Sequence, residues 1–151
     1  MKGTTREGLG YSLGEDLAIW GYSDASYGSD AETMRGRSGH LYMSGGAALS
    51  WGSKVQDVVA LSSTEAEYMA MTSAMQEGLY LRMMQRELGI EPKEGETLLL
   101  LDNQSAIKLA RNPVFHKRSK HIAIKYHFVR EKLESKIFTF EFIRTLEMAA
   151  D

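Results

Sequence analysis

A short run of apolar residues, Thr97–Leu101, places the strongest constraint on how this chain can fold. Turn-forming residues bound the run, and the pair Asp102-Asn103 follows it directly. Its leucines do not alternate with polar residues, which is typical of a strand that is buried on both faces of a sheet. Such a strand needs helices packed against the sheet. The run therefore predicts an α/β fold in which crossover helices cover a mixed sheet.

Periodicity and turn residues predict the other elements, in the order β-β-β-α-β-α-α-β. A hairpin is expected where Gly45-Gly46 separates two short strands, and Gly89 should end a long helix. The predicted strands are residues 17–24, 40–44, 47–51, 97–101 and 137–143, and the predicted helices are residues 63–88, 104–111 and 120–134.

Composition excludes several kinds of protein and site. The chain of 151 residues is long enough for one domain with a real core. It has no Cys, which excludes disulfides, thiolate zinc sites and a cysteine nucleophile. Its longest clean apolar run, residues 98–101, is too short to span a membrane, and we expect no secretory signal at the start. No nucleophile elbow and no P-loop is present.

Basic residues are concentrated between Lys108 and Lys132. This stretch contains eight Lys or Arg and a single acid, Glu131, so it carries +7 and the rest of the chain −9, which together give the net −2. Such an asymmetry predicts a surface that faces a polyanion. A solvated helical face is an equally open interpretation.

Two aspartates, Asp24 and Asp102, stand at the ends of predicted strands. Functional groups in open α/β sheets gather beyond the carboxyl ends of the strands, so these carboxylates are expected at one edge. Taken singly, each is more simply explained as a turn or cap residue, and Asp102 fits the N-cap of the helix that follows it.

Two glutamates near the start of the long helix have different expected roles. Ser62 and Glu65 have the spacing of a capping box, and Glu65 shares a mostly polar face with Met69. Glu67 instead heads the face that should pack on the sheet, where a carboxylate is costly unless it is paired or binds a cation. We therefore assign chemistry to Glu67 and the cap to Glu65, although Thr64 and Glu67 also have capping-box spacing.

Clustered carboxylates without Cys or a close-spaced His pair favour Mg²⁺ or Mn²⁺ as the metal. Two such ions about 3.5–4 Å apart can activate water and stabilise the leaving oxygen in phosphodiester cleavage. The basic stretch would then hold the phosphate backbone.

Several motifs resemble the ribonuclease H domain of copia-type retrotransposon Pol polyproteins. The likeness extends over essentially the whole chain, and the motifs occur in the expected order. They are Gly21-Tyr22-Ser23-Asp24-Ala25, residues 60–70 (ALSSTEAEYMA), Asp102-Asn103-Gln104-Ser105-Ala106, residues 112–116 (NPVFH), Lys120-His121-Ile122 and residues 126–131 (YHFVRE).

The resemblance implies a ribonuclease H-like fold, a five-stranded mixed sheet with helices on both sides. It implies an Asp-Glu-Asp-Asp site for two Mg²⁺ ions, with Mn²⁺ as a substitute, and hydrolysis of the RNA strand of RNA–DNA hybrids during reverse transcription. Residues 1–15 would link the reverse transcriptase region to a domain at 16–151, located in cytoplasmic virus-like particles. The implied catalytic and metal-binding residues are Asp24, Glu67, Asp102 and Asp151, and the expected nucleic-acid contacts are Lys117, Arg118, Lys120, His121 and Lys125.

Departures from the family pattern leave alternatives open. Ser26 and Ala123 stand where relatives often carry aspartate, although neither belongs to the four acids. A terminal Asp151 should be mobile and bind the second metal weakly. A catalytically weak nucleic-acid-binding domain of the same fold is the main alternative. An integrase-like transesterase is disfavoured, because the Ser-Thr-Glu-Ala-Glu helix lies between the first two aspartates.

Overall fold

The computed structural model of the chain describes residues 8–11, 17–90, 95–112 and 120–150, and for residues 120–122 only the backbone. The described part contains five strands, three α-helices and one short 3₁₀ turn. No helix in these ranges is long and apolar enough to cross a membrane. The elements are β1 (Trp20–Ser26), β2 (Arg37–Ser44), β3 (Ala47–Val55), α1 (Ser63–Glu87), β4 (Thr97–Leu101), α2 (Gln104–Arg111), α3 (Lys120–Glu134), β5 (Phe138–Phe142) and the 3₁₀ turn (Thr145–Glu147).

All five strands form one mixed sheet in the order β3-β2-β1-β4-β5. The pairs β1–β2 and β2–β3 are antiparallel, whereas β1–β4 and β4–β5 are parallel. The predicted order of elements and the five-stranded mixed sheet are therefore confirmed. Because β1 and β4 are parallel neighbours, their carboxyl ends lie at the same edge of the sheet.

Local sequence signals account for the ends of the main elements. Gly45 and Gly46 both have positive φ, as a two-residue turn between β2 and β3 requires. Ser62 caps α1 at its start. At its other end Gly89 has a φ of +68°, and the Ile90 N–H donates to the Gln85 carbonyl at 2.9 Å. This is the Schellman arrangement that a glycine after a helix predicts.

The core lies between the three helices and one face of the sheet. Leu99 and Leu101 of β4 are buried on this face, whereas Leu98 and Leu100, which point to the other face, are only half-buried. The prediction that β4 is buried on both faces is therefore wrong, because all three described helices pack on the same side. The main core residues are Tyr42, Tyr68, Met71, Met75, Leu99, Leu101, Ile107, Val129, Phe138 and Phe140.

Helix α1 lies very close to the sheet, and small residues make this possible. The Tyr42 hydroxyl on β2 donates to the Ala74 carbonyl of α1 at 2.6 Å. A Cβ on Gly21 would lie 2.7 Å from the Tyr42 ring, and a Cβ on Gly78 would lie 2.5 Å from the Tyr42 hydroxyl oxygen and 2.9 Å from the Phe138 ring. Gly78 therefore allows the close approach of α1 to the strands, and Gly21 leaves room for the Tyr42 ring that contacts the helix.

This packing predicts that Gly78→Ala destabilises the protein, although alanine is normally better than glycine in a helix. The added methyl group would overlap Tyr42 and Phe138, so we expect a loss of about 1–3 kcal/mol in the free energy of unfolding, measured by urea denaturation. Combining it with Tyr42→Phe removes the nearest atom, and the double variant should lose less than the sum of the two single variants. Strictly additive losses would contradict this account of the contact.

Candidate active site

Asp24 and Asp102 are placed at one edge of the sheet by the strand register. The parallel pairing of β1 with β4 continues up to Ser23 opposite Leu101. The next residue on each strand is an aspartate. The pairing alone therefore brings these two carboxylates to neighbouring positions at the carboxyl edge.

Glu67 reaches the same edge from the second turn of α1. Its side chain is 8% exposed, on the helix face that carries the buried Met71. One carboxylate oxygen from each of Asp24, Glu67 and Asp102 lies within 4.8 Å of the other two. The Ala25 N–H donates a hydrogen bond to the Glu67 carboxylate. Three of the four predicted acids are thus brought together, and we call this group the acid cluster.

The acid cluster favours a proton or a cation at its centre. Burial first, and then the negative charges of Asp24 and Asp102, raise the pKa of Glu67 to about 8, while the hydrogen bond from Ala25 opposes the shift. Glu67 is therefore mostly protonated at pH 7 in the metal-free protein. A divalent cation between the three carboxylates would displace this proton and stabilise the ionised form.

The hydrogen bonds at the helix caps show which acidic residues have a structural role and which are available to the acid cluster. The Glu65 N–H donates to Ser62 Oγ, and the Leu61 N–H donates to Glu65 Oε2, both at 3.2 Å, so Glu65 serves the helix cap. Asp102 is not the N-cap of α2, because Asn103 Oδ1 accepts from the Ala106 N–H at 3.0 Å instead. The assignment of Glu65 to the cap is confirmed, and Asp102 is left available to the cluster.

The polar face predicted for Glu65 is not what the structure shows. Glu65, Met69 and Thr72 are all at most 5% exposed, and on this side of α1 Ala66 and Met69 pack with Ala60 in a second small cluster. The sequence pattern missed this burial, since a 25-residue helix with two packed sides has no clear amphipathic stripe.

Two further residues lie at the acid cluster. The resemblance placed Thr145 only at the start of the segment that leads to Asp151, without a contact of its own, and Gly39 was not singled out. The Thr145 hydroxyl donates to Asp102 Oδ2 at 2.8 Å. Gly39, which pairs with Asp24 across the sheet, lies directly against the backbone of Ala150. A glycine inside a strand was the one available signal, because it often marks a close approach of another backbone segment.

Several predicted site residues fall outside what the structure describes. Asp151, Lys117 and Arg118 lie outside the described residues, and for Lys120 and His121 only the backbone of α3 is described. Their roles stay predictions.

Lys125 lines a groove of about 440 Å³ between α1, α3 and the end of β3, and Lys54 lines its other side. Met69, Ile124 and Phe128 supply apolar parts of its wall. The groove thus combines two cations with apolar contact area.

Comparison with known proteins gives relatives along the whole chain. The chain is 39% identical over all 151 residues to the retrovirus-related Pol polyprotein from transposon TNT 1-94 of Nicotiana tabacum. It is 35% identical over the same length to that from transposon RE1 of Arabidopsis thaliana. The chain spans only 11% and 10% of these two proteins, so it corresponds to one segment of each. No family model matches the chain.

Solved structures show the same fold at low sequence identity. LC11-RNase H1, isolated from compost, superposes with a TM-score of 0.63 at 18% identity, with 88% of this chain and 89% of that chain covered. The same enzyme in complex with an RNA/DNA hybrid gives a TM-score of 0.61 at 16% identity, covering 87% and 88% of the two chains.

The sheet order, the helices on it and these superpositions define the chain as a ribonuclease H fold. Within that fold, the alignments over all 151 residues of the chain identify it as a homologue of one segment of the retrovirus-related Pol polyproteins of plant transposons. Both findings confirm the resemblance that the motifs indicate.

The raised pKa of Glu67 predicts how Glu67→Gln affects stability. Between the ordinary pKa of 4.5 and the raised pKa of about 8, the folded protein keeps a proton that the unfolded chain has lost. The stability that protonated Glu67 gives to the folded state is therefore complete below about pH 4.5 and is lost as the pH rises through about 8. Glutamine cannot ionise, so in EDTA we expect the variant to gain about 1–3 kcal/mol over wild type at pH 9 and much less at pH 5.

Urea denaturation at the two pH values measures this difference. Glu65→Gln is the matched control, since it changes a neighbouring glutamate on the same helix without touching the acid cluster. A gain from Glu67→Gln that is the same at both pH values would refute the electrostatic explanation.

Proposed function

We propose that this chain is a ribonuclease H that hydrolyses the RNA strand of RNA–DNA hybrids, with two divalent metal ions. The observation that carries this proposal is the convergence of Asp24, Glu67 and Asp102 at the carboxyl edge of a ribonuclease H fold. A structural neighbour, LC11-RNase H1, has been solved with an RNA/DNA hybrid, which supports the substrate class.

The residues present suit a hard divalent cation. The acid cluster offers only carboxylate oxygens, which Mg²⁺ and Mn²⁺ prefer, and the chain has no Cys. Asp24, Glu67 and Asp102 would hold the metal, and we propose Asp151 as the fourth ligand. When bound, such ions activate a water and stabilise the leaving oxygen of the phosphodiester.

The protein residues prepare the site in three ways. Asp24 and Asp102 are fixed relative to each other by the strand pairing, so the reacting phosphate meets preorganised charges. Glu67 would give up its proton to a bound cation, because the positive charge would offset both the burial and the negative charges of Asp24 and Asp102 that raise its pKa. The Ala25 N–H holds the Glu67 carboxylate toward the edge.

The hybrid would lie along the acid edge and the basic residues beside it. We propose Lys117, Arg118, Lys120, His121 and Lys125 as phosphate contacts, and Lys125 already lines the groove between α1 and α3. In the polyprotein, the reverse transcriptase region would supply the hybrid, within cytoplasmic virus-like particles.

Cleavage of a labelled RNA–DNA hybrid is the direct test. We expect cuts in the RNA strand with Mg²⁺ or Mn²⁺, none in EDTA, and a loss of at least about 100-fold in Asp24→Asn and in Asp102→Asn, because each removes a charged metal ligand. Glu87→Gln, which neutralises an exposed carboxylate at the far end of α1, is the matched control and should cut like wild type.

The outcomes separate the two candidate functions. If the protein binds the hybrid but does not cut it at any metal concentration, the catalytically weak nucleic-acid-binding domain is favoured over the nuclease. Cutting that survives both Asp→Asn changes would show that the acid cluster is not the active site.

Salt dependence tests the phosphate contacts. If Lys125 contacts a backbone phosphate, Lys125→Ala should weaken hybrid binding and reduce the slope of log affinity against log salt by about 0.7–0.9. Fluorescence anisotropy with labelled hybrid at several salt concentrations measures this. Arg86→Ala, at the far end of α1, should leave the slope unchanged, and an equal effect of both variants would contradict a specific contact at Lys125.

A further inference from the structure

Residues 143–150, which we call the strap, cross the acid edge after β5. The Ile143 N–H donates to the Leu101 carbonyl at the end of β4, at 2.9 Å. The 3₁₀ turn Thr145–Glu147 follows, and the Met148 side chain beyond it is 7% exposed. Ala150 then reaches Gly39 on β2. The strap therefore runs from β5 past the ends of β4 and β1 to β2.

The first contact of the strap with the acid cluster is a hydrogen bond. The Thr145 hydroxyl donates to Asp102 Oδ2 at 2.8 Å. A carboxylate with one oxygen held in this way loses much of its freedom to rotate. Partners that hold a metal-binding side chain typically change metal affinity about 10–100-fold when they are removed.

The second contact is a close approach at Gly39. A Cβ on this residue would lie 2.5 Å from the Ala150 carbonyl oxygen, whereas every other atom near it is at least 3.6 Å away. Among the described residues, the strands therefore leave room for a Cβ at this position, and the strap excludes it. Gly39 is also the residue that pairs with Asp24. Ala150, in the last part of the strap, thus lies next to the strand pair that carries Asp24.

We propose that the strap is a positioning element of the metal site, in which Thr145 orients Asp102 and Gly39 admits the end of the strap next to Asp24. This inference rests on the proposed function and deepens it. Neither Thr145 nor Gly39 contacts the reacting atoms in this account, since each acts through an acid or through the backbone of the strap.

Mn²⁺ binding in the absence of substrate tests the role of Thr145. The electron paramagnetic resonance signal of free Mn²⁺ measures the affinity. Thr145→Val keeps the shape but removes the hydroxyl, and we expect an affinity loss of about 10-fold, at the lower end of the range because Thr145 is exposed. Thr145→Ser keeps the hydroxyl and should stay within about twofold of wild type. Thr139→Val makes the same change in β5 as a control and should have no effect.

A double-mutant cycle separates positioning from a purely structural role. If Thr145 acts through Asp102, Thr145→Val should cause no further loss of Mn²⁺ affinity in an Asp102→Asn background. An equal loss in both backgrounds, an unchanged affinity of Thr145→Val, or no Mn²⁺ binding by wild type would overturn the inference. Wild type that binds Mn²⁺ as expected but cuts no hybrid would reject the proposed function and leave the positioning role supported.

Gly39 is tested by Gly39→Ala, with hydrogen exchange of the peptide covering the strap as the readout. We expect exchange at least threefold faster and weaker Mn²⁺ binding, because the added methyl group displaces Ala150. Gly52→Ala is the matched control in β3, where the three atoms nearest to the new Cβ all belong to the His40 ring and not to the strap. Unchanged exchange, or faster exchange with wild-type Mn²⁺ affinity, would overturn the role of the strap end.

Discussion

The close contact of α1 with the β1–β2 pair determines where the acids of the site can lie. The Tyr42 hydroxyl bonded to Ala74, with glycine at positions 21 and 78, fixes the depth at which the helix rests on the strands. Glu67 sits near the start of the same rigid helix, so that depth also sets the reach of its carboxylate. The contact of Tyr42 with Ala74 is therefore part of the core and also determines where the Glu67 carboxylate lies at the carboxyl edge of the sheet.

The acid cluster works against the stability of the fold that holds it. Strand register forces Asp24 and Asp102 together, and helix packing adds a buried Glu67, so three carboxylates gather within 4.8 Å of one another. The metal-free protein lowers the repulsion by retaining a proton on Glu67, as its raised pKa shows. A ligand that replaces this proton would contribute its binding energy to the folded state.

The sequence predicted elements well where local signals and tertiary packing agree, and less well elsewhere. β4 and α2 match their predicted bounds, and Gly89 ends the long helix as expected. β1 begins at Trp20, because the Leu17 carbonyl is taken by side chains of Ser44 and Gln85 and not by a strand ladder. The edge strand β3 continues to Val55 through polar residues that alternation could not identify. The Thr145 and Ala150 contacts depend on distant partners, so no local pattern shows them.

The reach of the strap also has a consequence for the order in which the molecule is assembled. Thr145 and Asp102 are 43 residues apart, and Ala150 meets a strand from the first third of the chain. Contacts of such long sequence separation require more chain entropy to be lost before they form than local contacts do. The β2–β3 hairpin and α1 are built from contacts that are closer in sequence, so their formation does not depend on the strap. The surroundings of Asp24 and Asp102 are therefore complete only once the strap has docked across the sheet.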